Sequence, residues 1–355
     1  MYDFFNIFYN ISGDIVREID LSEYKIRTDL VSDLVSDDKK IKESIYEKYN
    51  IKVSKITLNE KDSLSLEKEK GDYITIYFND ITDHDNYSKL KEVFSLELGK
   101  MLSSYNKENV LIIGLGNRKS TCDALGPRVI DIVKSTRHIY EIYKSLESGF
   151  VITSKIAPGV MGETGIETSD IISGIISFVK PTLILVVDSL ASSSIDRVVK
   201  TIQITNAGIS PGSGIGNNRN SINYETYGVP VIAIGVPTVV DASTIVFDTI
   251  NFMAKHFSYN LENKDLASKL IPSSINNYLK KDLRELNTEE KSYFLGAFGL
   301  LSNFEKKALI NDVLTPIGYN LMVTPKEIDF DILNLSTLIG DGINASLHSA
   351  LNDNM

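Results

Sequence analysis

Thiols are nearly absent from the chain, which carries one cysteine, Cys122. One thiol cannot build an internal disulfide framework or a multi-cysteine zinc or iron–sulfur site. Basic residues are also in deficit: 37 Lys and Arg stand against 47 Asp and Glu, a net charge of −10. Phosphate binding by bulk charge needs a basic surface, so direct nucleic-acid binding is not expected. A substrate that itself binds DNA stays compatible with this balance. No run of 18 apolar residues occurs, so no membrane-spanning helix is expected. Met1 to Val16 contains no Lys or Arg and so lacks the positive n-region of a signal peptide. The expected location is the cytosol.

What is present is a globular mix of 43% hydrophobic and 24% charged residues over 355 positions. That length allows two domains or one large α/β domain. Residues 1–29 differ from the rest. They are aromatic-rich from Tyr2 to Tyr9, then charged and weakly periodic to Asp29, and read as a flexible arm or a removable leader. Ile51 to Leu58 and Tyr73 to Phe78 alternate like strands. Asn86 to Tyr105 has helical spacing.

From residue 109 to 256, short apolar runs alternate with helical patterns. Strands are expected at 110–113, 151–156, 183–187 and 229–234. Helices are expected at 124–138, 166–180 (stopped by Pro181) and 242–256. Continuous apolar strands alternating with helices predict an α/β three-layer sandwich around a mostly parallel twisted sheet. Residues 30–355 read as one such domain, with a polar helical appendage at about 257–312.

Parallel sheets place ligand sites beyond the C-terminal ends of their strands. Gly114-Leu-Gly116 begins like a dinucleotide fingerprint, but the third glycine position holds Lys119. The glycine-rich stretch 208–218 lacks the Lys-Ser or Lys-Thr of a P-loop. Gly208-Ile-Ser-Pro-Gly212 matches a nucleophile elbow in letters only, because Pro211 has no N–H for an oxyanion hole. Cys122 lacks a nearby base and reads as a small buried residue. His84, His138, His256 and His348 are scattered and form no tight metal motif, so no metal or cofactor is expected.

Acids remain. Asp188 ends the most hydrophobic run of the chain, where desolvation is expected to raise its pKa. Asp123 reads either as a helix N-cap or as a second functional acid. If the sheet joins their loops, the two could share a proton and work as general base and general acid. Asp241 is a third candidate, with a capping role as its alternative. Arg128, Arg197 and Arg219 lie near these loops and read as binders of acidic groups or as ordinary ion pairs.

The motifs Leu111-Ile-Ile-Gly-Leu-Gly-Asn117, Asp123-Ala-Leu-Gly-Pro-Arg128, Ala157-Pro-Gly-Val-Met-Gly162, Thr164-Gly-Ile-Glu-Thr-Ser-Asp170, Thr201-Ile-Gln-Ile204, Gly208-Ile-Ser-Pro-Gly-Ser-Gly-Ile-Gly-Asn217, Pro230-Val-Ile-Ala-Ile-Gly-Val-Pro-Thr-Val-Val-Asp-Ala242 and Asn320-Leu-Met-Val-Thr-Pro-Lys-Glu327 together resemble the germination protease family of spore-forming bacteria. The resemblance covers about residues 19–350. It implies an endopeptidase of the spore core that degrades small acid-soluble spore proteins. It also implies a homotetramer, made as a zymogen that removes its own propeptide, with a fold like that of hydrogenase-maturation peptidases. The family's two catalytic aspartates fall on Asp123 and Asp188.

The family's substrate motif resembles Thr-Glu-(Phe/Ile)-Ala-Ser-Glu-Phe, cut after the first acid. Thr28-Asp-Leu-Val-Ser-Asp-Leu34 keeps each position's chemical class, which points to cleavage between Asp29 and Leu30. Arg128, Arg219 and Asp241 are then candidates for substrate binding. Two features depart from the family: Cys122 replaces a usual proline, and the segment before Ile19 is longer. A metal-binding peptidase-like protein of the hydrogenase-maturation type is the alternative reading.

Overall fold

A computed structural model describes residues 28–35, 41–210, 220–262, 284–314 and 321–354. In chain order the helices are α1 (Val31–Val35), α2 (Glu60–Leu66), α3 (His84–Leu102), α4 (Leu125–Ile132), α5 (Arg137–Tyr143), α6 (Thr168–Val179), α7 (Ala242–Glu262), α8 (Thr288–Leu295), α9 (Asn303–Leu314) and α10 (Ile328–Leu347). The strands are β1 (Glu43–Lys48), β2 (Ile51–Leu58), β3 (Gly71–Tyr77), β4 (Asn109–Gly114), β5 (Ile152–Ile156), β6 (Leu183–Ser192), β7 (Thr201–Thr205), β8 (Val231–Asp241) and β9 (Met322–Val323). Single helical turns lie at Met161–Thr164 and Tyr224–Tyr227. The described residues of the chain fall into two compact units, those between 28 and 241 together with 322–354, and those between 242 and 321.

The first unit holds the sheet, in the order β1-β2-β3-β7-β8-β6-β4-β5, with β9 beside β8. The expectation of a mostly parallel sheet is corrected here, because the sheet is mixed. Parallel ladders join β5, β4, β6 and β8, while β7, β3, β2, β1 and β9 are antiparallel. The cause is local. Tyr49 and Asn50 both take positive φ (57° and 61°) and close β1 onto β2 as a two-residue hairpin. So short a connection leaves no room for the helical crossover that parallel pairing needs.

Alternating side chains supply both faces of the parallel half. Val110, Ile112, Leu183, Leu185 and Val187 face a core shared with α3, α4 and α10. Leu111, Ile113, Ile184 and Val186 face the other way, against Ile172 and Val179 of α6. Helices thus cover both faces, which is why these strands carry almost no polar residues. Lys180 ends α6 in the left-handed conformation, with Pro181 following.

Several element boundaries differ from expectation; β8 runs to Asp241 rather than 234, and α7 to Glu262 rather than 256. The helix expected at 124–138 is two helices, broken where Val133 turns extended. The Lys155 ammonium, on β5, donates to the carbonyls of Ile130 and Val133 (2.7 Å each) and satisfies the freed end of α4. The strand expected to end at Val187 runs on to Ser192, because β8 keeps pairing with it. Polar residues are tolerated there since the ladder persists after the apolar run stops.

The second unit is helical over its described residues, beginning at Ala242. The Asn287 side chain and Glu290 form a reciprocal capping box at the start of α8. Phe257 of α7 stacks on Phe294 of α8, with centroids 4.7 Å apart.

Candidate active site

A crevice opens where β4 stops and β6 continues. Gly114, the last residue of β4, pairs with Val187, so Asp188 is the first β6 residue beyond that edge. It stands inside β6 opposite Gly235 of β8, rather than after the strand. Asp188 is 6% exposed, and its Oδ1 accepts the Ser189 N–H at 2.8 Å.

Asp123 reaches the same crevice from the loop after β4. Residues 121–123 form a 3₁₀ turn, and the Asn117 N–H donates both to the Asp123 carbonyl (3.0 Å) and to its Oδ2 (2.8 Å). Gly116 makes this wrap possible. Its φ is +111°, and a Cβ there would meet the Asp123 carbonyl oxygen at 2.0 Å. The N-cap alternative for Asp123 fails in this geometry. Ala124 holds the cap position of α4 without a side-chain bond, and the Asp123 carboxylate turns back to Asn117. Gly126 lets α4 press on the strand ends, since a side chain there would strike Leu115 and the Val187 carbonyl.

Asp123, Asp188 and Asp29 line one cavity of about 290 Å³, together with Cys122, Ser189 and Thr238. Cys122 is half-buried rather than fully buried. Its carbonyl accepts the Thr238 hydroxyl at 2.6 Å, and its Sγ lies 3.5 Å from Ser120 Oγ. Asp29 also borders a second cavity of about 380 Å³, with Lys68, Glu69, Tyr73 and Gln203.

The segment around Asp29 is held closely. Leu30 and Val31 are fully buried. The Asp29 N–H donates to the Ala191 carbonyl, and Asp29 Oδ2 accepts the Ala191 N–H, both at 2.9 Å. The Gln203 amide spans the next peptide units. Its Oε1 accepts the Val31 N–H at 3.1 Å, and its Nε2 donates to the Asp29 carbonyl at 3.5 Å. The Lys68 ammonium donates to the Thr28 carbonyl at 2.9 Å. Burial pushes the Lys68 ammonium below the usual lysine range, with Asp29 and Asp33 pulling the other way. Arg197 pairs with Asp33 at 2.7 Å.

The sequence-derived candidates therefore separate. Asp123, Asp188 and Asp29 come together, and Leu30 follows in the bound segment. Arg128 is the fourth residue of α4 and is absent from the cavity lining; its charge acts on Asp131 instead. Asp241 is buried at the end of β8, backbone-paired with Met322, and is likewise absent from that lining. Arg219 and the glycines 212, 214 and 216 lie outside the described residues. Lys68 had no sequence signal, and Gln203 lay in the resemblance motif Thr201-Ile-Gln-Ile204 without being singled out as a site residue. Among the described residues, no group of three His, Cys, Asp or Glu is placed to hold a metal, and no helix is long and apolar enough to cross a membrane.

Comparison with known proteins agrees with the sequence resemblance. The germination protease family model matches residues 20–355. The germination protease of Priestia megaterium (strain ATCC 12872 / QMB1551) is 43% identical over 94% of this chain and 96% of its own. That of Geobacillus sp. (strain WCH70) is 42% identical over 94% and 97%. Among solved structures, the [NiFe] hydrogenase maturation protease HycI from Thermococcus kodakarensis KOD1 aligns with 40% of this chain and 80% of that one. It does so at 18% identity and a TM-score of 0.27, too low to establish a shared fold. The chain belongs to the germination protease family, which is a family of peptidases.

Proposed function

We propose, with membership of the germination protease family as the premise, that this chain is an endopeptidase zymogen that cuts itself between Asp29 and Leu30. The mature enzyme then degrades small acid-soluble spore proteins in the spore core as a homotetramer. One observation carries the reading of the site: Asp29, the residue whose carbonyl would be attacked, lines the same cavity as Asp123 and Asp188.

The chemistry follows from that grouping. One aspartate, ionised, takes a proton from a water whose oxygen bonds to the Asp29 carbonyl carbon. The other, protonated, gives its proton to the Leu30 nitrogen as the C–N bond breaks. Gln203 supports the orientation of the scissile unit, since its amide contacts the Asp29 carbonyl on one side and the Val31 N–H on the other. Substrates that coat DNA suit an enzyme whose own net charge is −10.

Asp123→Asn and Asp188→Asn test this. Each keeps the side-chain volume and removes the proton chemistry. The expected result is a folded chain, by circular dichroism, that neither processes itself nor cuts spore-protein peptides. N-terminal sequencing of the wild-type product should begin at Leu30. Full activity in either variant, or a different new terminus, refutes the assignment.

A further inference from the structure

The Asp33 carboxylate is the most completely gripped acid of the bound segment, and its side chain is 1% exposed. Three groups from the body of the unit converge on it. The Arg197 guanidinium is 2.7 Å away, the Ser193 N–H donates at 2.8 Å, and the Ser192 hydroxyl donates at 3.1 Å. Arg197 is itself held in place. It donates to Ser32 Oγ, lies over the Tyr77 ring at 5.7 Å, and is only 19% exposed. A charged pair this desolvated discriminates strongly. An uncharged residue in place of Asp33 would leave the guanidinium buried beside nothing that balances it.

The position of this cradle is fixed by strand β6. Along ten residues that strand supplies Asp188, then Ala191, which binds Asp29 through both backbone atoms, then Ser192, which binds Asp33. The distance from the reacting peptide bond to the cradle is therefore set by one rigid element.

We propose that Ser192, Ser193 and Arg197 form a specificity subsite for a carboxylate four residues beyond the acid at which the chain is cut. The acid-x-x-x-acid spacing is already that of the family's substrate motif; the new element is the cradle that reads its second acid, with Asp29 and Asp33 as the copy held in cis. This rests on the cleavage reading above. After the cut Asp33 remains at the new amino end, and a substrate's second acid competes with it for the cradle.

Two measurements test the subsite, one with catalysis and one without. The processed enzyme is given a peptide copying Thr28–Leu34 flanked by neutral residues, and the same peptide with its second acid replaced by Asn. The wild type is expected to favour the two-acid peptide by about 10- to 100-fold in kcat/KM, the range for a buried hydrogen bond to a charged group. Arg197→Gln is expected to bring that ratio to within about twofold of unity. Ser192→Ala, a milder change, is expected to lower it severalfold. General damage to the fold would slow both peptides alike and leave the ratio intact. A wild-type ratio near one, or a ratio that survives Arg197→Gln, overturns the proposal.

The second measurement is amide hydrogen exchange over residues 28–35 in the unprocessed full chain. Arg197→Gln and Asp33→Asn should each remove protection there, and the double variant should remove no more than either. Unchanged protection in Arg197→Gln overturns the cradle. If the wild type cuts neither peptide, the cleavage reading falls, while the exchange result still decides whether the cradle binds the acid.

Discussion

Replacing Gly116 with alanine isolates what the crevice loop does for Asp123. Two effects follow from the geometry. At φ +111° a Cβ is strained wherever it points, at a cost of roughly 1–3 kcal/mol. The Cβ would also stand 2.0 Å from the Asp123 carbonyl oxygen, whereas real Cβ contacts essentially never fall below 3.0 Å. The turn bearing Asp123 must therefore retreat by about 1 Å, or Gly116 must. A displacement of that size in a reacting group costs about 100-fold in rate, equivalent to about 2.7 kcal/mol of barrier.

Gly228→Ala is the matched control, because its φ is +66° but nothing lies within 4 Å of its Cβ. It should lose a comparable amount of stability from strain and none of the rate. The assay is the rate of appearance of the chain starting at Leu30, read by intact-mass spectrometry, alongside urea unfolding of each variant. If folded Gly116→Ala processes itself within about threefold of the wild type, the placement of Asp123 by this loop is not what the reaction depends on.

Two further expectations concern stability. His348 is fully buried, with Nδ1 accepting the Val151 N–H at 3.2 Å, and burial holds its pKa below the ordinary 6.5. The folded state keeps the imidazole neutral while the unfolded chain protonates it below about pH 6.5, so unfolding takes up a proton there. Stability is complete above that pH and falls on acidification by up to about 1.4 kcal/mol per pH unit until the folded pKa is reached. Urea midpoints between pH 8 and 5 check this, and His348→Gln should flatten that part of the slope. The buried Glu97 carboxylate receives the Tyr46 hydroxyl (2.8 Å), the Lys100 ammonium (2.7 Å) and the Lys55 ammonium, tying α3 to β1 and β2. Glu97→Gln removes the buried acceptor charge while Lys55 and Lys100, 36% and 54% exposed, stay hydrated, and it should lower unfolding free energy by about 1–2 kcal/mol.

The parallel half of the sheet was legible because β4 and β6 are buried on both faces and must be apolar throughout. In the antiparallel half, β2 and β3 were legible from their alternation at 51–58 and 73–78, while β1 and β7 were not. β7 buries Thr201, Gln203 and Thr205, which pattern reading treats as surface. β1 is a charged edge strand whose exposed residues satisfy no core. Asp188 stood out because it interrupts an apolar run, and Asp123 because it follows a strand end. Their meeting depended on β6 outrunning β4, which apolar patterning cannot register. The contacts made by Lys68 and by Gln203, the latter within a motif of the resemblance, escaped pattern reading for a different reason. Each bonds a residue far away in sequence, 40 positions for Lys68 with Thr28 and 174 for Gln203 with Asp29. Arg197 was read either as a surface ion pair or as an acid binder, and only its burial beside Asp33 separates the two.

Thr28 gives the proposed cut a direction. Its hydroxyl bonds the Leu30 N–H (3.1 Å) and the Asp33 carboxylate (2.5 Å), so a residue on one side of the bond steadies the first turn of α1 on the other. While the chain is whole, these contacts are intramolecular and cost little to keep. Once the bond between Asp29 and Leu30 is severed, Thr28 becomes part of a separate molecule, free to diffuse away at its bulk concentration. The turn then loses two local hydrogen bonds, each worth about 1 kcal/mol, and rejoining the two ends requires them to be recruited again from solution. The contact that holds the segment ready before the reaction is thus one that the reaction itself dismantles.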